Sequence, residues 1–237
     1  MGDDLDEVRN VDRCCNNRCR GAAACGMVTR GGDQQVFPVP LTVTMTGVTK
    51  SQLAGWRRAP VVLAPEHGTR PRALYSFQDL VALRTFARLR SKVSLQKIRK
   101  ALSTLDMLEL TEHPSKYTLV AHGESIALVD NDEAIDLVEA PTTRVMVEMV
   151  DVFNSFINRN EVAVVDFKHP RPQLEVNLNR LGGWPTIKGT RVPYDAIVDL
   201  VADGDVSYDE VAEYYPSVTP DAVADAVAFA QLIEDAA

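Results

Sequence analysis

The feature that most constrains the fold is a turn followed by a capped helix in the segment TGVTKSQLAGWRR, residues 46–58. Gly47 permits the tight turn. Thr49 is followed three residues later by Gln52, and this capping-box pattern predicts a helix over Lys50–Arg58 that ends before a proline. PLTVTM, whose β-branched residues favour a helix only weakly, is predicted to form a preceding, supporting helix. Together the two predict a helix-turn-helix.

The predicted second helix has a buried side and a polar side. Leu53 and Trp56 lie three residues apart and predict the buried side. The remaining side chains predict an exposed surface that can donate hydrogen bonds to phosphates and base edges, made of Lys50, Ser51, Gln52, Arg57 and Arg58.

The next segment, VVLAPEHGTRPRALYSF, predicts two short strands around an exposed turn that contains Gly68 and Pro71. His67, Arg70 and Arg72 are expected at the tip of this turn. A basic hairpin directly after a helix-turn-helix has the outline of a wing, so the sequence predicts a winged helix-turn-helix.

Two further helices are predicted after the wing. Ser76 and Asp79 repeat the capping-box pattern and predict a helix that continues to about Lys92. Arg84 and Arg88 are four residues apart and would share one face of it. SLQKIRKALSTLDMLEL then carries leucine and isoleucine at helical spacing and predicts an amphipathic helix.

The charge distribution indicates what this region binds. Residues 50–100 contain twelve basic and two acidic residues, a net charge of +10 in a chain of net charge -8. Phosphates within a Debye length of about 8 to 10 Å respond mainly to nearby charges. A charge run can also be a solvated face, but the turn, caps, wing and charge agree on duplex DNA. We expect the wing arginines, Arg84 and Arg88 to hold phosphates.

Residues 113–180 are predicted to connect two helical regions. YTLVAHGESIALV alternates around HGES and predicts a hairpin with strands at 117–121 and 125–129. TRVMVEMVDVFNSFIN has apolar residues at helical spacing and predicts a helix whose broad apolar face is either core or the seam of a dimer. EVAVVDF and LEVNL predict two more strands.

The C-terminal part predicts three helices, at about 193–203, 208–215 and 220–234. They begin with Pro193 at a first helical position, with a capping box of Ser207 and Glu210, and with Thr219 before a proline. Residue 186 onward holds two basic and eleven acidic residues, a net charge of -9. The residues expected to face inward are Ile197, Leu200, Val201, Val211, Ala212, Tyr215, Val223, Val227, Ala230 and Ile233.

These patterns predict a mainly α protein with small β elements, an α+β fold. The expected order is a disordered tail at 1–35, a winged helix-turn-helix head at 36–112, a hairpin, helix and strand connector at 113–180, and a three-helix domain at 181–237. The tail holds all four cysteines, Cys14, Cys15, Cys19 and Cys25. We expect them to be reduced rather than a zinc knot or a disulfide pair, because no histidine precedes His67. Alternatively, translation begins at Met27.

Residues 39–110 resemble the DNA-binding domain of MerR-type regulators. This resemblance implies that a homodimer binds operator double-stranded DNA at paired half-sites. The supporting helix departs from the family pattern, because it lacks the usual alanine and glutamate residues. The residues that carry the resemblance are Gly47, Val48, Thr49, Trp56, Tyr75, Ser76, Asp79, Leu80, Leu89, Arg90, Val93, Ser94 and Leu95.

The C-terminal segment resembles a small bacterial three-helix domain of unassigned function, whose Gly-Thr-Arg-[IV]-Pro signature is matched at 189–193. That domain is often found in antitoxins. A MerR-like head joined to it is similar to a subset of VapB-type antitoxins, which implies a PIN-domain ribonuclease toxin as partner and repression of the shared operon. The side chains expected to block the carboxylates of the toxin are Arg171, Arg180 and Arg191. The alternative for Arg191 is that it ties its own loop to the three-helix domain.

Catalytic patterns are missing from the sequence. It has no Gly-rich phosphate loop and no HExxH, and its four histidines, at 67, 113, 122 and 169, are scattered. We therefore predict a non-enzyme without cofactor or metal. The alternative to the antitoxin is a MerR-type regulator that responds to a small-molecule effector. No apolar run reaches the roughly 20 residues of a membrane helix and the N-terminus is acidic, so we expect a cytoplasmic protein without a membrane partner.

Overall fold

The structure is a computed structural model that describes residues 35–58, 63, 65, 72–130, 133–146 and 151–236. The predictions for the N-terminal tail, its cysteines and the tip of the wing with Arg70 lie outside these residues. Within them no helix is long and apolar enough to cross a bilayer.

The described residues contain seven α-helices and small antiparallel sheets, which confirms the mainly α, α+β fold. The helices are α1 Val39–Thr46, α2 Lys50–Arg58, α3 Phe77–Arg90, α4 Leu95–Met107, α5 Tyr194–Val201, α6 Val211–Tyr214 and α7 Pro220–Asp235. The strands are β1 Phe37–Pro38, β2 Leu74–Tyr75, β3 Thr118–His122, β4 Ser125–Asp130, β5 Glu133–Asp136, β6 Phe156–Ile157, β7 Ala163–Val164, β8 Leu174–Glu175 and β9 Thr186–Ile187.

The weakly predicted supporting helix is confirmed as α1. The hydroxyls of Thr42, Thr44 and Thr46 donate to backbone carbonyls four residues earlier at 3.0, 3.1 and 2.7 Å. Burial of this threonine-rich helix therefore leaves no hydroxyl without a partner. The helix ends at Gly47, which has φ 75° and donates its N–H to the carbonyl of Val43 at 2.9 Å. Any Cβ there would overlap Val164.

The second helix has the predicted bounds and the predicted cap. The Thr49 hydroxyl accepts from the backbone N–H of Gln52 at 3.2 Å, and Gln52 Oε1 accepts from the backbone N–H of Thr49 at 2.9 Å. Leu53 and Trp56 are buried, as the spacing predicted. A helix-turn-helix is therefore present at the predicted position.

The strand predicted to close the wing is present as β2, but its partner is the strand before α1. Phe37 pairs with Tyr75 and Pro38 with Leu74. This pairing ties the start of the head to the entry of α3. Residues 61, 62, 64 and 66–71 of the predicted hairpin lie outside the described residues, and residues 63, 65, 72 and 73 belong to no strand.

The two helices after the wing are confirmed as α3 and α4. Ser76 caps α3 by accepting from the N–H of Asp79 at 3.0 Å, while the Asp79 carboxylate accepts from the N–H of Ser76 at 2.8 Å. Ser94 caps α4 by accepting from the N–H of Lys97 at 3.3 Å. Most of α3 is buried, so this helix forms the centre of the head.

The predicted hairpin is confirmed as β3 and β4, and β5 extends it to a three-stranded sheet. The Asp136 carboxylate accepts from the Ser125 hydroxyl at 2.7 Å and from the N–H groups of Val138, Glu139 and Ala140 at 2.7, 2.9 and 3.3 Å. Burial raises the pKa of Asp136, but these hydrogen bonds outweigh it and the net shift is downward.

The helix predicted for TRVMVEMVDVFNSFIN is wrong. Residues 141–146 and 151–157 form turns, a bridge between Ile135 and Arg144, and β6. The carbonyls of Val152, Phe153 and Asn154 accept from the Arg84 side chain instead of from backbone N–H groups four residues later. The apolar residues of this segment are packed, but from a non-helical backbone: Phe153 packs on Phe167 and Phe156 lies against Arg84. A dimer seam formed by such a helix is excluded with it.

The strands predicted in EVAVVDF and LEVNL are confirmed in shortened form as β7 and β8. The three C-terminal helices are also confirmed, with changes at their ends. Pro193 is the residue before α5 rather than its first residue, and α6 is a single turn. Ala212 is exposed, contrary to prediction. The buried side of α7 is formed by Ala222, Val223, Ala226 and Phe229, whereas the predicted Val227, Ala230 and Ile233 are half-buried.

The C-terminal helices pack directly on the head. Helix α7 contacts α1. The rings of Phe37 and Trp184 have centroids 5.7 Å apart, and Trp184 stacks on Tyr194 at 6.2 Å. Gly183 approaches Phe77 so closely that a Cβ would overlap the ring. Contacts thus cross both predicted boundaries, at 112/113 and 180/181, and the described residues belong to one compact unit.

Candidate nucleic-acid interface

The outward side of α2 is the centre of the candidate site. Lys50, Ser51 and Gly55 are exposed, and Gln52 and Arg57 are half-buried. The helix contains no acidic residue. Helix α2 follows the turn directly and is held by the cap of Thr49 and Gln52. Its outward side therefore presents cationic and hydrogen-bonding groups from a fixed backbone. The side chain of Arg58 lies outside the described residues.

Gln52 has a structural role that limits how it can meet a base. Its Oε1 is used by the cap of α2, at 2.9 Å from the backbone nitrogen of Thr49. The Ser51 hydroxyl likewise lies 3.0 Å from the Thr49 hydroxyl. The amide nitrogen of Gln52 is therefore the group that remains for a base edge. Replacing Gln52 would also remove the cap, so Lys50 and Arg57 are the cleaner probes.

Arg57 lies near the end of α2, close enough to Tyr75 for its charge to act on the Tyr75 hydroxyl. Burial raises the pKa of the Tyr75 hydroxyl, the nearby charge of Arg57 lowers it, and Asp79 raises it. Arg72 is exposed just before β2. Lys50, Arg57 and Arg72 thus remain residues that we propose for DNA contact.

Arg84 has no exposed surface that could meet a phosphate, contrary to the expectation that it holds one. Its side chain is fully buried. It donates to the carbonyls of Met45 at 2.5 Å, Val152 at 2.8 Å and Val165 at 2.7 Å, and to those of Phe153 and Asn154 at 3.0 and 2.9 Å. Burial lowers its pKa to about 10. Arg84 is a structural clasp between α1, α3 and the segment around 151–167.

Arg88 also faces this segment. It donates to the carbonyl of Asn154 at 3.0 Å, and its guanidinium carbon lies 5.3 Å from the centroid of the Phe156 ring. Burial lowers its pKa, against the raising effect of Asp151. Arg88 is half-buried, so part of its guanidinium is committed to packing and it contributes less to a DNA surface than its position in the sequence predicted.

The charge count also overlooked acidic partners from the connector. Lys97 forms ion pairs with Glu124 and Glu139, each at 3.1 Å. Lys92, Arg99 and Lys100 are exposed. Glu124, in the turn between β3 and β4, and Glu139, after β5, therefore neutralise the charge of Lys97, whereas Arg99 and Lys100 of α4 stay exposed.

The three basic residues expected to meet a toxin differ in availability. Arg180 forms an ion pair with Glu175 and donates weakly to the carbonyl of Thr190. Arg171 is half-buried and reaches the carbonyl of Ala228 at 3.5 Å. Arg191 is exposed. Of the three, Arg191 is the side chain best placed to meet another protein.

A cavity of about 390 Å³ lies between α3 and the segment that leads into β8. Three aromatic rings, Phe77, Phe153 and Phe167, line it together with Lys168 and His169. Glu175 lines it too, so aromatic rings and charged groups of both signs face the cavity, which suits a small aromatic ligand. Across the described part of the chain, no group of three or more His, Cys, Asp or Glu side chains is arranged to hold a metal ion.

Gly55 offers a test of whether α2 meets DNA closely. It lies within the helix, and nothing lies within 4 Å of the position that a Cβ would take. Gly55→Ala is therefore expected to raise the free energy of unfolding by about 0.5 to 1 kcal/mol, measured by urea denaturation. If α2 enters a groove, the added methyl weakens DNA binding in an anisotropy titration. A variant that is stabilised yet binds DNA like the parent would place the DNA elsewhere.

Two segments of the chain match known families. Residues 42–105 match the model of the MerR HTH family of regulatory proteins, and residues 174–230 match DUF433, a family of proteins of unknown function. No curated protein matches the chain. The chain is similar to the crystal structure of Rv2018 from Mycobacterium tuberculosis, with 17% identity, a TM-score of 0.49, and coverage of 81% of this chain and 96% of that chain.

These matches confirm part of what the sequence indicated. The first confirms the resemblance of the head to MerR-type regulators and indicates a DNA-binding regulator. The second lies on the segment that carries the 189–193 signature and brings no function with it. The resemblance to VapB-type antitoxins stays a prediction.

Proposed function

We propose that this chain, a DNA-binding regulator with a MerR-type helix-turn-helix, represses its own operon and is the antitoxin of a PIN-domain ribonuclease. The observation that carries the regulatory half is the exposed side of α2, which holds Lys50, Ser51 and Gly55, has no acidic residue and follows an intact turn and cap. Exposed cations at such a position steer duplex DNA to the helix. The operator-bound form is proposed to be a homodimer, and operator binding would require a cytoplasmic location.

The antitoxin half is supported by charge. The region from residue 186 onward has a net charge of -9, which attracts a protein whose nucleic-acid groove is basic and raises the rate of association. The active site of a PIN domain is a cluster of carboxylates, so a basic side chain is needed to block it. Arg191 is exposed, whereas Arg171 and Arg180 are held within the fold.

The antitoxin is tested with the full chain, because the head and the C-terminal helices pack together. We expect the chain to capture the ribonuclease encoded beside it and to suppress RNA cleavage. Arg191→Glu is expected to weaken inhibition by about tenfold or more, since it places a carboxylate against carboxylates. Lys188→Glu makes the same charge change at another exposed position of the loop and is the matched control. If the ribonuclease cleaves RNA equally fast with and without the parent chain, the chain is not its antitoxin.

The cavity beside Phe77 favours a second candidate function, a regulator that responds to a small-molecule effector. Its volume of about 390 Å³ suits a small ligand, and it joins α3 of the head to the segment before β8. A ligand there would bias the position of the head. Thermal-shift screening of aromatic carboxylates tests it, because a ligand that binds the folded chain raises its melting temperature. A hit that also changes operator affinity supports the effector regulator over the antitoxin.

A further inference from the structure

We propose that the loop between β6 and β7, residues 158–162, is a second DNA-contacting element beside α2, with Arg159 as a phosphate-binding residue. The inference rests on the proposed binding of operator DNA by the head. It concerns a part of the chain outside both matched segments, which cover residues 42–105 and 174–230.

The loop is fastened to the turn of the helix-turn-helix. The side-chain nitrogen of Asn158 donates to the carbonyl of Gly47 at 3.0 Å. Val164, in the next strand, packs so closely on Gly47 that no Cβ fits there. Any DNA that is seated on the turn and α2 therefore lies near this loop, because the two are held together by a direct hydrogen bond and by packing.

The loop has a defined shape of its own. The side-chain oxygen of Asn158 accepts from the N–H groups of Asn160 at 2.9 Å and Val162 at 3.1 Å. The N–H of Asn158 donates to the carbonyl of Val162 at 3.0 Å. Asn158 thus holds the loop closed from within while its amide nitrogen holds the loop on the head. Arg159 is presented from a fixed backbone rather than from a free chain.

The surroundings of Arg159 are cationic. It is exposed and lines a shallow depression together with Gln52, Trp56 and Arg90. Burial lowers the pKa of Arg90, and the positive charge of Arg159 lowers it further, so the two guanidinium groups feel each other. Within the described part of the chain neither forms an ion pair with a carboxylate. A phosphate placed between α2 and the loop would relieve this repulsion.

Duplex DNA suits the site better than a protein partner, because the depression adjoins Gln52 on the helix that is proposed to enter the groove. A loop that follows the helix-turn-helix in space, but not in sequence, extends the footprint along the backbone. Such a contact positions the protein without reading bases, and it acts on all sequences alike.

The experiment measures binding of the full chain to two fluorescent duplexes, the DNA upstream of its own gene and a shuffled version, across a salt series. Arg159→Ala is expected to weaken binding to both duplexes by about three- to tenfold and to lower the salt slope by about one. Arg159→Lys should retain most of the affinity, because the lysine ammonium also forms an ion pair with a phosphate. Arg144→Ala is the control, since Arg144 is exposed and paired with Glu133.

The outcomes separate this inference from the function on which it rests. If Lys50→Glu reduces binding but Arg159→Ala matches the parent in affinity and salt slope, the head contacts DNA and the loop does not. If Arg159→Ala weakens only the upstream duplex, a uniform phosphate contact is wrong. If the parent does not bind duplex DNA, both the inference and the proposed function fail.

Discussion

Replacement of Arg84 by alanine is expected to lower the free energy of unfolding by about 3 to 5 kcal/mol. The guanidinium donates to five backbone carbonyls at 2.5 to 3.0 Å, and its side chain has no exposed surface. Its carbon also lies 5.3 and 5.5 Å from the centroids of Phe156 and Phe167. Truncation removes the side-chain donor from all five carbonyls, including that of the buried Met45, and opens a cavity between the rings. The carbonyls of Phe153 and Asn154 keep the N–H of Phe167 and the side chain of Arg88 as donors.

Guanidinium chloride denaturation of the full chain measures this effect. Arg88→Ala is the matched control on the same helix, because Arg88 makes one carbonyl hydrogen bond at 3.0 Å and is half-exposed, so its loss should cost no more than about 1.5 kcal/mol. Arg84→Lys should also destabilise the protein, since an ammonium has three donors rather than five. If Arg84→Ala unfolds at the same denaturant concentration as Arg88→Ala, the clasp does not stabilise the fold.

Local signals predicted much of the fold, because they depend on neighbouring residues. The caps formed by Thr49 with Gln52 and by Ser76 with Asp79 are present as hydrogen bonds, and α2 has the predicted bounds. The hairpin around Gly123 likewise follows from alternation and a turn. The partners in each cap are three residues apart, so they can be recognised together in a short stretch of sequence.

The failures come from partners that are distant in sequence. Spacing at 144–157 fits a helix, yet Arg84 takes the carbonyls of 152–154 and Phe153 packs on Phe167, with ring centroids 5.5 Å apart. The exposed position expected for Arg84 was wrong for the same reason, since two arginines four residues apart look alike until the opposing segment is known. Helical periodicity identifies apolar residues but does not show which backbone covers them.

The candidate site was predicted in part. Position and spacing indicated Lys50 and Arg57, whose contact with DNA stays a prediction. No pattern indicated that Arg159 would lie beside Gln52, because the two residues are 107 positions apart in the chain. The count of charges in residues 50–100 also missed Glu124 and Glu139, which reach Lys97 from the connector. Net charge along the sequence therefore overstates the positive surface of α4.

Reversing two charges of α2, with Lys50→Glu and Arg57→Glu, is expected to weaken DNA binding by about 100-fold or more. Each substitution removes a cation from the surface that meets phosphates and adds repulsion in its place. Lys50 is the first residue of α2, where a glutamate interacts favourably with the helix dipole, so that change does not threaten the fold. Circular dichroism and denaturation verify that the double variant is folded.

The matched control reverses two exposed charges elsewhere, Lys116→Glu and Arg144→Glu. It changes the net charge of the chain by the same amount, and both residues lie in the connector, where they pair with Glu112 and Glu133. General repulsion between a more acidic protein and DNA is thereby measured separately. Binding by this control should stay within about threefold of the parent at physiological salt, where the Debye length is about 8 Å.

Fluorescence anisotropy of the full chain, with the duplex upstream of its gene and with a shuffled duplex, measures whether α2 presents a DNA-reading surface. The parent is predicted to prefer the upstream duplex by about 10³-fold or more and to lose affinity steeply as salt rises. The α2 double variant is predicted to lose both properties, and the connector variant to keep them. Equal affinity of the parent for both duplexes, or parent-like binding by the α2 double variant, would contradict the account.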